Sequence, residues 1–201
     1  MHISEGILAP QILAAGVVIA GAEVAWGLKK TDHDKIVQVA MASSVFFLAS
    51  LINIRLGPSS THLSLIGPIG LILGWSAFPA IFVALLLQAV LFQFGGILVL
   101  GVNTVSMATA AVAAHLIFGR PVRSGSLKIA ASSAFAAGFL AVLLGASLVG
   151  MFLSLSDYGM LTAAKTLVAA HIPLGLIEGA AAAFMITFLK RTHPDVLGMA
   201  R

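Results

Sequence analysis

Six stretches of this chain are apolar for roughly the length that a helix needs to cross a bilayer, about 20 residues, and short segments holding the basic residues separate several of them. The runs are residues 6–28, 36–54, 78–94, 96–118, 129–153 and 172–189. A shorter run, residues 62–73, follows the turn-forming Gly57-Pro58-Ser59-Ser60 and contains Gly67-Pro68. Any fold for this chain must hide those runs from water. A soluble domain would need about a quarter of its residues charged to clothe them, yet only 9% of the 201 are charged and 60% are hydrophobic. The expected fold class is therefore an all-α integral membrane protein, a single transmembrane domain over residues 1–201.

The basic residues set the orientation, because cytoplasmic segments carry an excess of Lys and Arg. With the N-terminus outside and seven spans, the inner segments hold Lys29, Lys30, Lys35, Arg120, Arg123, Lys128, Lys190, Arg191 and Arg201, and the outer ones only Arg55 and Lys165. Six spans would put Arg120, Arg123 and Lys128 outside. Residues 62–73 are therefore counted as a crossing, giving a bundle of seven transmembrane helices with a cytoplasmic C-terminus. The first segment carries Glu5 before its apolar run and its lysines after it, the reverse of a signal peptide. It is expected to remain as the first helix, with Met1 and His2 at the outer face.

Several function classes fall away. The net charge of +4 lies in small clusters with no nucleic-acid motif, so no nucleic-acid partner is expected. With no cysteines there is no thiolate site. No GxxxxGK[ST] phosphate loop, HExxH helix or GxSxG elbow occurs, so neither ATP hydrolysis nor a hydrolytic centre is expected of this chain. It is not read as an enzyme.

Six histidines remain. His33 and His193 sit among charged residues and read as solvated. His115 reads as an interfacial group near an inner helix end, and His171, beside Pro173, as a helix-opening residue. His2 and His62 both fall at outer ends of spans. A His at position two sets an α-amine, a backbone amide nitrogen and an imidazole along one short strand. Those three nitrogens fill three corners of a square and leave the fourth for another ligand, a tetragonal arrangement that suits Ni2+ or Cu2+ better than Zn2+. The metal would compete with a proton at the amine, whose reference pKa is about 7.7–8.0. Among the acids, Glu23 reads as interfacial beside Lys29 and Lys30. Glu178 lies deeper and reads equally as the centre of a buried hydrogen-bond network or as part of a conformational change. Gln88, Gln93 and Asn103 are polar groups expected to face protein or a cavity. Spacings such as Gly16–Ala20 and Ser132–Ala136 suit close helix packing.

Taken together, Met1-His2-Ile3-Ser4-Glu5-Gly6-Ile7-Leu8, Ser60-Thr61-His62-Leu63, Gln88 through Gly96, Leu100-Gly101-Val102-Asn103 and His171 through Gly179 resemble the CbiM/NikM family. These are the cobalt/nickel substrate-capture components of energy-coupling-factor transporters, and the blocks keep family order over nearly the whole chain. The resemblance implies seven helices and a metal held by the Met1 amine, the His2 amide and imidazole, and His62. Asn103, Ser60 and Glu178 are expected to give polar support to the site, and the resemblance implies Ni2+ or Co2+ as the transported substrate. It also implies partners: a membrane coupling subunit, cytoplasmic ATPase subunits and a small accessory membrane protein. Two positions depart from the family pattern, Phe94 where a His usually precedes the paired glycines and Ser106 where a second amide is common. The rival expectation is a stand-alone proton-coupled metal carrier using Glu178 and Glu23; an intramembrane hydrolase built on a Ser with His62 is a further one.

Overall fold

A computed structural model describes residues 3–56 and 59–199. The chain forms α1 (Pro10–Lys29), α2 (Ile36–Ala49), a β1–β2 hairpin (Asn53–Leu56 and Ser59–His62), α3 (Ile66–Leu73), α4 (Ala77–Phe92), α5 (Leu100–Ser124), α6 (Leu127–Ser156) and α7 (Leu161–Thr192). Among the described residues, five helical segments are long and apolar enough to cross a membrane: Pro10–Lys29, Ile66–Phe92, Leu100–Ser124, Leu127–Ser156 and Tyr158–Thr192. The helical membrane fold expected from the apolar runs is the one observed.

Several boundaries differ from those expectations. The run expected over residues 36–54 is helical only to Ala49 and then enters β1. Residues 62–73 are helical only from Ile66, so α3 extends about 12 Å at 1.5 Å per residue. The first helix starts at Pro10, where proline's fixed φ suits an opening turn. The last begins at Leu161 rather than near His171, with His171 and Pro173 inside it.

Contact registers fix the relative directions of several helices. Gly16 lies against Val102, and Glu23 against Thr109, so α1 and α5 run the same way. Gly70 meets Ala111 and Gly74 meets His115, which gives α3 that direction too. α4 runs back along α1, with Pro79 against Gly27 near its start and Leu98, beyond its end, bonded to Glu5. The apolar segment Ile66–Phe92 therefore doubles back on itself at Gly74, whose φ of +60° is open to glycine at little cost. α6 and α7 form an antiparallel pair, with Gly150 on Ala164 and Phe139 on Gly175.

The two ends of the bundle differ in chemistry. At one end Lys190 Nζ donates to the carbonyls of Val122, Arg123 and Gly125 at 2.6, 3.0 and 2.7 Å. Arg123 Nε donates to Leu197 O at 2.8 Å. Lys30, Lys35 and His115 line a cavity of about 220 Å3 at the same end. Cations here satisfy the last carbonyls of α5 and oppose the negative end of its dipole. The opposite end holds Ile3, Asn103, the β hairpin and the start of α3.

Candidate metal-capture site

The site is built on backbone-to-backbone contacts that only small residues permit. A Cβ on Gly67 would stand 2.6 Å from Gly138 Cα, and one on Gly138 would stand 2.7 Å from Glu178 O. α3, α6 and α7 therefore meet without intervening side chains, the mode of close approach that small residues allow between membrane helices. This contact carries Glu178 up to the first turn of α3. Its carboxylate, fully buried, accepts hydrogen bonds from the backbone N–H of Ser64, from Ser64 Oγ at 2.9 Å and from the backbone N–H of Leu65 at 2.7 Å. Leu65 adopts φ +52°, unusual for a branched side chain, just where the carboxylate grips it. The carboxyl group thus fixes the two residues that lead into α3. Of the two roles open to Glu178 in the sequence, the hydrogen-bond network is the one observed.

His62 lies two residues before Ser64. Its ring is buried, and Nδ1 stands 3.1 Å from Leu63 O. Burial, aided by the nearby His171, pushes its pKa down to about 3, so the imidazole is neutral at physiological pH and able to bind a metal. The backbone around it is pinned on both sides. His62 pairs with Asn53 in the hairpin, and Leu63 N–H donates to Ile52 O at 3.2 Å. Ser60 pairs through its backbone with Arg55, but its side chain lies outside the described residues.

A second clamp holds the start of the chain. Ile3 N–H donates to Asn103 Oδ1 at 3.0 Å, and Asn103 Nδ2 donates to Ile3 O at 3.2 Å. Both residues are buried. Farther along, Glu5 N–H donates to Gly95 O at 3.2 Å, and its carboxylate accepts from Leu98 N–H at 2.9 Å. Gly96, at φ +115°, makes room for that carboxylate. Met1 and His2, the expected chelating residues, lie outside the described residues, immediately before the clamped Ile3. Among the described residues no group of three or more His, Asp or Glu side chains is placed to hold a metal.

Other sequence readings resolve differently. Glu23 is half-buried, and Thr109 Oγ1 donates to its Oε1 at 2.6 Å, while Lys29 and Lys30 sit 6.0 and 5.3 Å from the Trp26 ring. His171 does not open a helix; it is buried within α7 and bonded to Leu167. His33 and His193 are exposed as expected. Ser106 donates to the Val102 carbonyl one turn back, and Phe94 packs on Phe92 with ring centroids 5.7 Å apart. Gln88, fully buried, has neither amide atom hydrogen-bonded.

The fold and these clamps define the class: a multi-pass membrane protein whose non-basic end organises backbone segments next to histidines. Comparison with known proteins narrows it. The family described as the cobalt uptake substrate-specific transmembrane region matches residues 2–196, and this chain belongs to that family, CbiM. It is 39% identical over 200 residues to a putative metal transport protein of Haemophilus influenzae, an alignment covering 98% of this chain and 97% of that one. It is 29% identical to a fused nickel transport protein, NikMN, of Rhodobacter capsulatus, covering all of this chain but 65% of that protein. A putative fused cobalt transport protein, CbiMQ, of Methanocorpusculum labreanum is 28% identical over 98% of this chain and 36% of its own length. The fold matches a crystal structure of a transition metal transporter with a TM-score of 0.77 and 23% identity, covering 95% of this chain and 93% of that one. The protein is thus a prokaryotic membrane component of cobalt and nickel uptake.

Proposed function

We propose that this chain captures Ni2+ or Co2+ at the outer face of the membrane and passes it inward as the substrate-specific subunit of an ATP-driven transporter. The metal is held by four nitrogens: the Met1 amine, the His2 amide, the His2 imidazole and the His62 imidazole. The observation that carries this reading is the pair of clamps, Asn103 on Ile3 and Glu178 on Ser64 and Leu65. Each fixes backbone within two or three residues of a proposed ligand, and both sit at the end of the bundle away from the lysines. Ligands preset in this way lose little entropy on binding. Of the polar residues expected to support the site, Asn103 and Glu178 act through these clamps, and Ser60 acts through the hairpin backbone that carries His62.

The basic end faces the cytoplasm by the distribution of Lys and Arg. α3 and α4 run in opposite directions, which supports counting them as two passes, seven in all, with the N-terminus outside and the C-terminus inside. Energy comes from cytoplasmic ATPase subunits through a membrane coupling subunit, with a small accessory membrane protein. Relatives in which this module is fused to further transport sequence support membrane partners. Glu178 is committed to three accepted hydrogen bonds, which disfavours the rival reading of a proton carrier. Purified His62→Ala should lose tight Ni2+ and Co2+ binding while keeping its helical spectrum. Undiminished affinity for both metals would overturn the site.

A further inference from the structure

His171 belongs to neither clamp, yet it is 7% exposed and lies well inside α7. Its Nδ1 stands 2.8 Å from the carbonyl of Leu167, one turn back. A carbonyl can only accept, so Nδ1 carries the proton and donates, and Nε2 carries the lone pair. Nε2 is buried and has no hydrogen-bond partner. Leaving a buried acceptor unpaired is destabilising, which an apolar side chain at this position would avoid. A ring held at one nitrogen by a backbone carbonyl, with the other nitrogen bare, is the arrangement of an imidazole that binds metal.

Its position along α7 places the ring towards the outer end of the bundle. His171 precedes Glu178 by seven residues, two turns along the same face of α7 and about 10 Å nearer the clamp end. Glu178 holds Ser64 and Leu65, and His62 lies just upstream of them. Both rings are buried, and charge on His171 disfavours charge on His62. Gln88, also without partners, has no comparable tether to fix the direction of its side chain, so it carries less.

We infer that His171 Nε2 is a fifth, axial nitrogen donor to the captured metal, and that it favours Co2+ relative to Ni2+. This inference rests on the four-nitrogen plane proposed above. In a square-planar field Ni2+ has its axial orbital filled and resists a fifth donor. Low-spin Co2+ holds a single electron there and accepts one. A buried imidazole above the plane therefore strengthens Co2+ binding and does little for Ni2+.

The test uses the full-length protein with its native N-terminus in detergent, titrated separately with Ni2+ and Co2+. His171→Ala should weaken Co2+ by roughly tenfold, equivalent to ~1.4 kcal/mol, and leave Ni2+ nearly unchanged. The electron paramagnetic resonance spectrum of the Co2+-loaded protein should show splitting by an axial nitrogen. That splitting should vanish in His171→Ala and return on adding free imidazole. His171→Gln, which keeps a polar side chain in the buried position, should also lose the splitting and guards against a variant that fails to fold. An unchanged spectrum, or equal weakening of both metals, would assign His171 to packing and overturn the inference while the four-nitrogen site stands. If the unaltered protein binds neither metal, the four-nitrogen reading itself fails and this inference falls with it.

Discussion

Replacing Glu178 tests how the structure holds His62. Glu178→Ala removes the acceptor for two backbone N–H groups and one hydroxyl. Each buried donor left unpaired costs about 1–3 kcal/mol, so the two N–H groups alone amount to roughly 2–6 kcal/mol. Part of that loss is recovered if Ser64 and Leu65 let go and reach water, which frees the loop bearing His62. Apparent affinity then falls by the fraction of molecules whose loop remains in place. Every 1.4 kcal/mol of loop release weakens binding about tenfold, so a drop of ten- to a hundredfold for both metals is expected. Glu178→Gln keeps one carbonyl oxygen and the shape of the side chain, but its amide nitrogen faces a donor. It should fall between the wild type and Glu178→Ala. Thermal unfolding in detergent and metal titration, run side by side, read the two effects. A Glu178→Ala protein with unchanged melting and unchanged affinity would refute the claim that this carboxylate holds Ser64 and Leu65 and so fixes His62.

Further outcomes follow from the same geometry. Asn103→Leu removes both bonds to Ile3 and should weaken Ni2+ binding about tenfold or more, with a smaller loss of melting temperature; Asn103→Asp keeps the acceptor and should lose less, and titration of both variants checks the order. Gly96→Ala places a Cβ against the Glu5 carboxylate at a φ disfavoured for alanine, and should lower stability by about 1–3 kcal/mol without altering the metal preference. His62 has its pKa depressed to about 3 against an unfolded value near 6.5. Between those values the unfolded chain takes up a proton that the folded protein does not, so the stability it contributes is full above pH 6.5 and declines as pH falls towards 3. His62→Gln should flatten that part of the melting-versus-pH curve.

Some of this architecture is legible in the sequence because it depends on composition along the chain. The apolar runs and the placement of Lys29, Lys30, Arg123 and Lys190 gave the membrane class and located the basic end. What the runs could not give is where helix yields to other structure. Residues 50–54 and 62–65 read as helix ends, yet β1 takes up Asn53 and Ile54, β2 takes up His62, and α3 begins only at Ile66, because β pairing depends on a partner strand rather than on hydropathy. Side-chain partners across the bundle were hidden for the same reason. Glu23 is three turns or less from Lys29 along the chain, but the helical period turns it towards Thr109 on α5. A proline two residues after His171 resembles a helix start, whereas α7 continues through Pro173. Glu178 and Asn103 were recognisable as unusual polar groups in apolar surroundings; that each grips backbone beside a proposed ligand required the packing of α3, α6 and α7, and of α1 against α5.

The central claim is that the start of the chain is itself the larger part of the metal site. Titration of the purified protein with its native Met1-His2 terminus, against the same protein carrying extra N-terminal residues, tests it most directly. The account predicts tight Ni2+ or Co2+ binding by the first and its loss in the second, because a peptide bond replaces the ligating amine. Equal binding by both would contradict it and move the site away from the terminus.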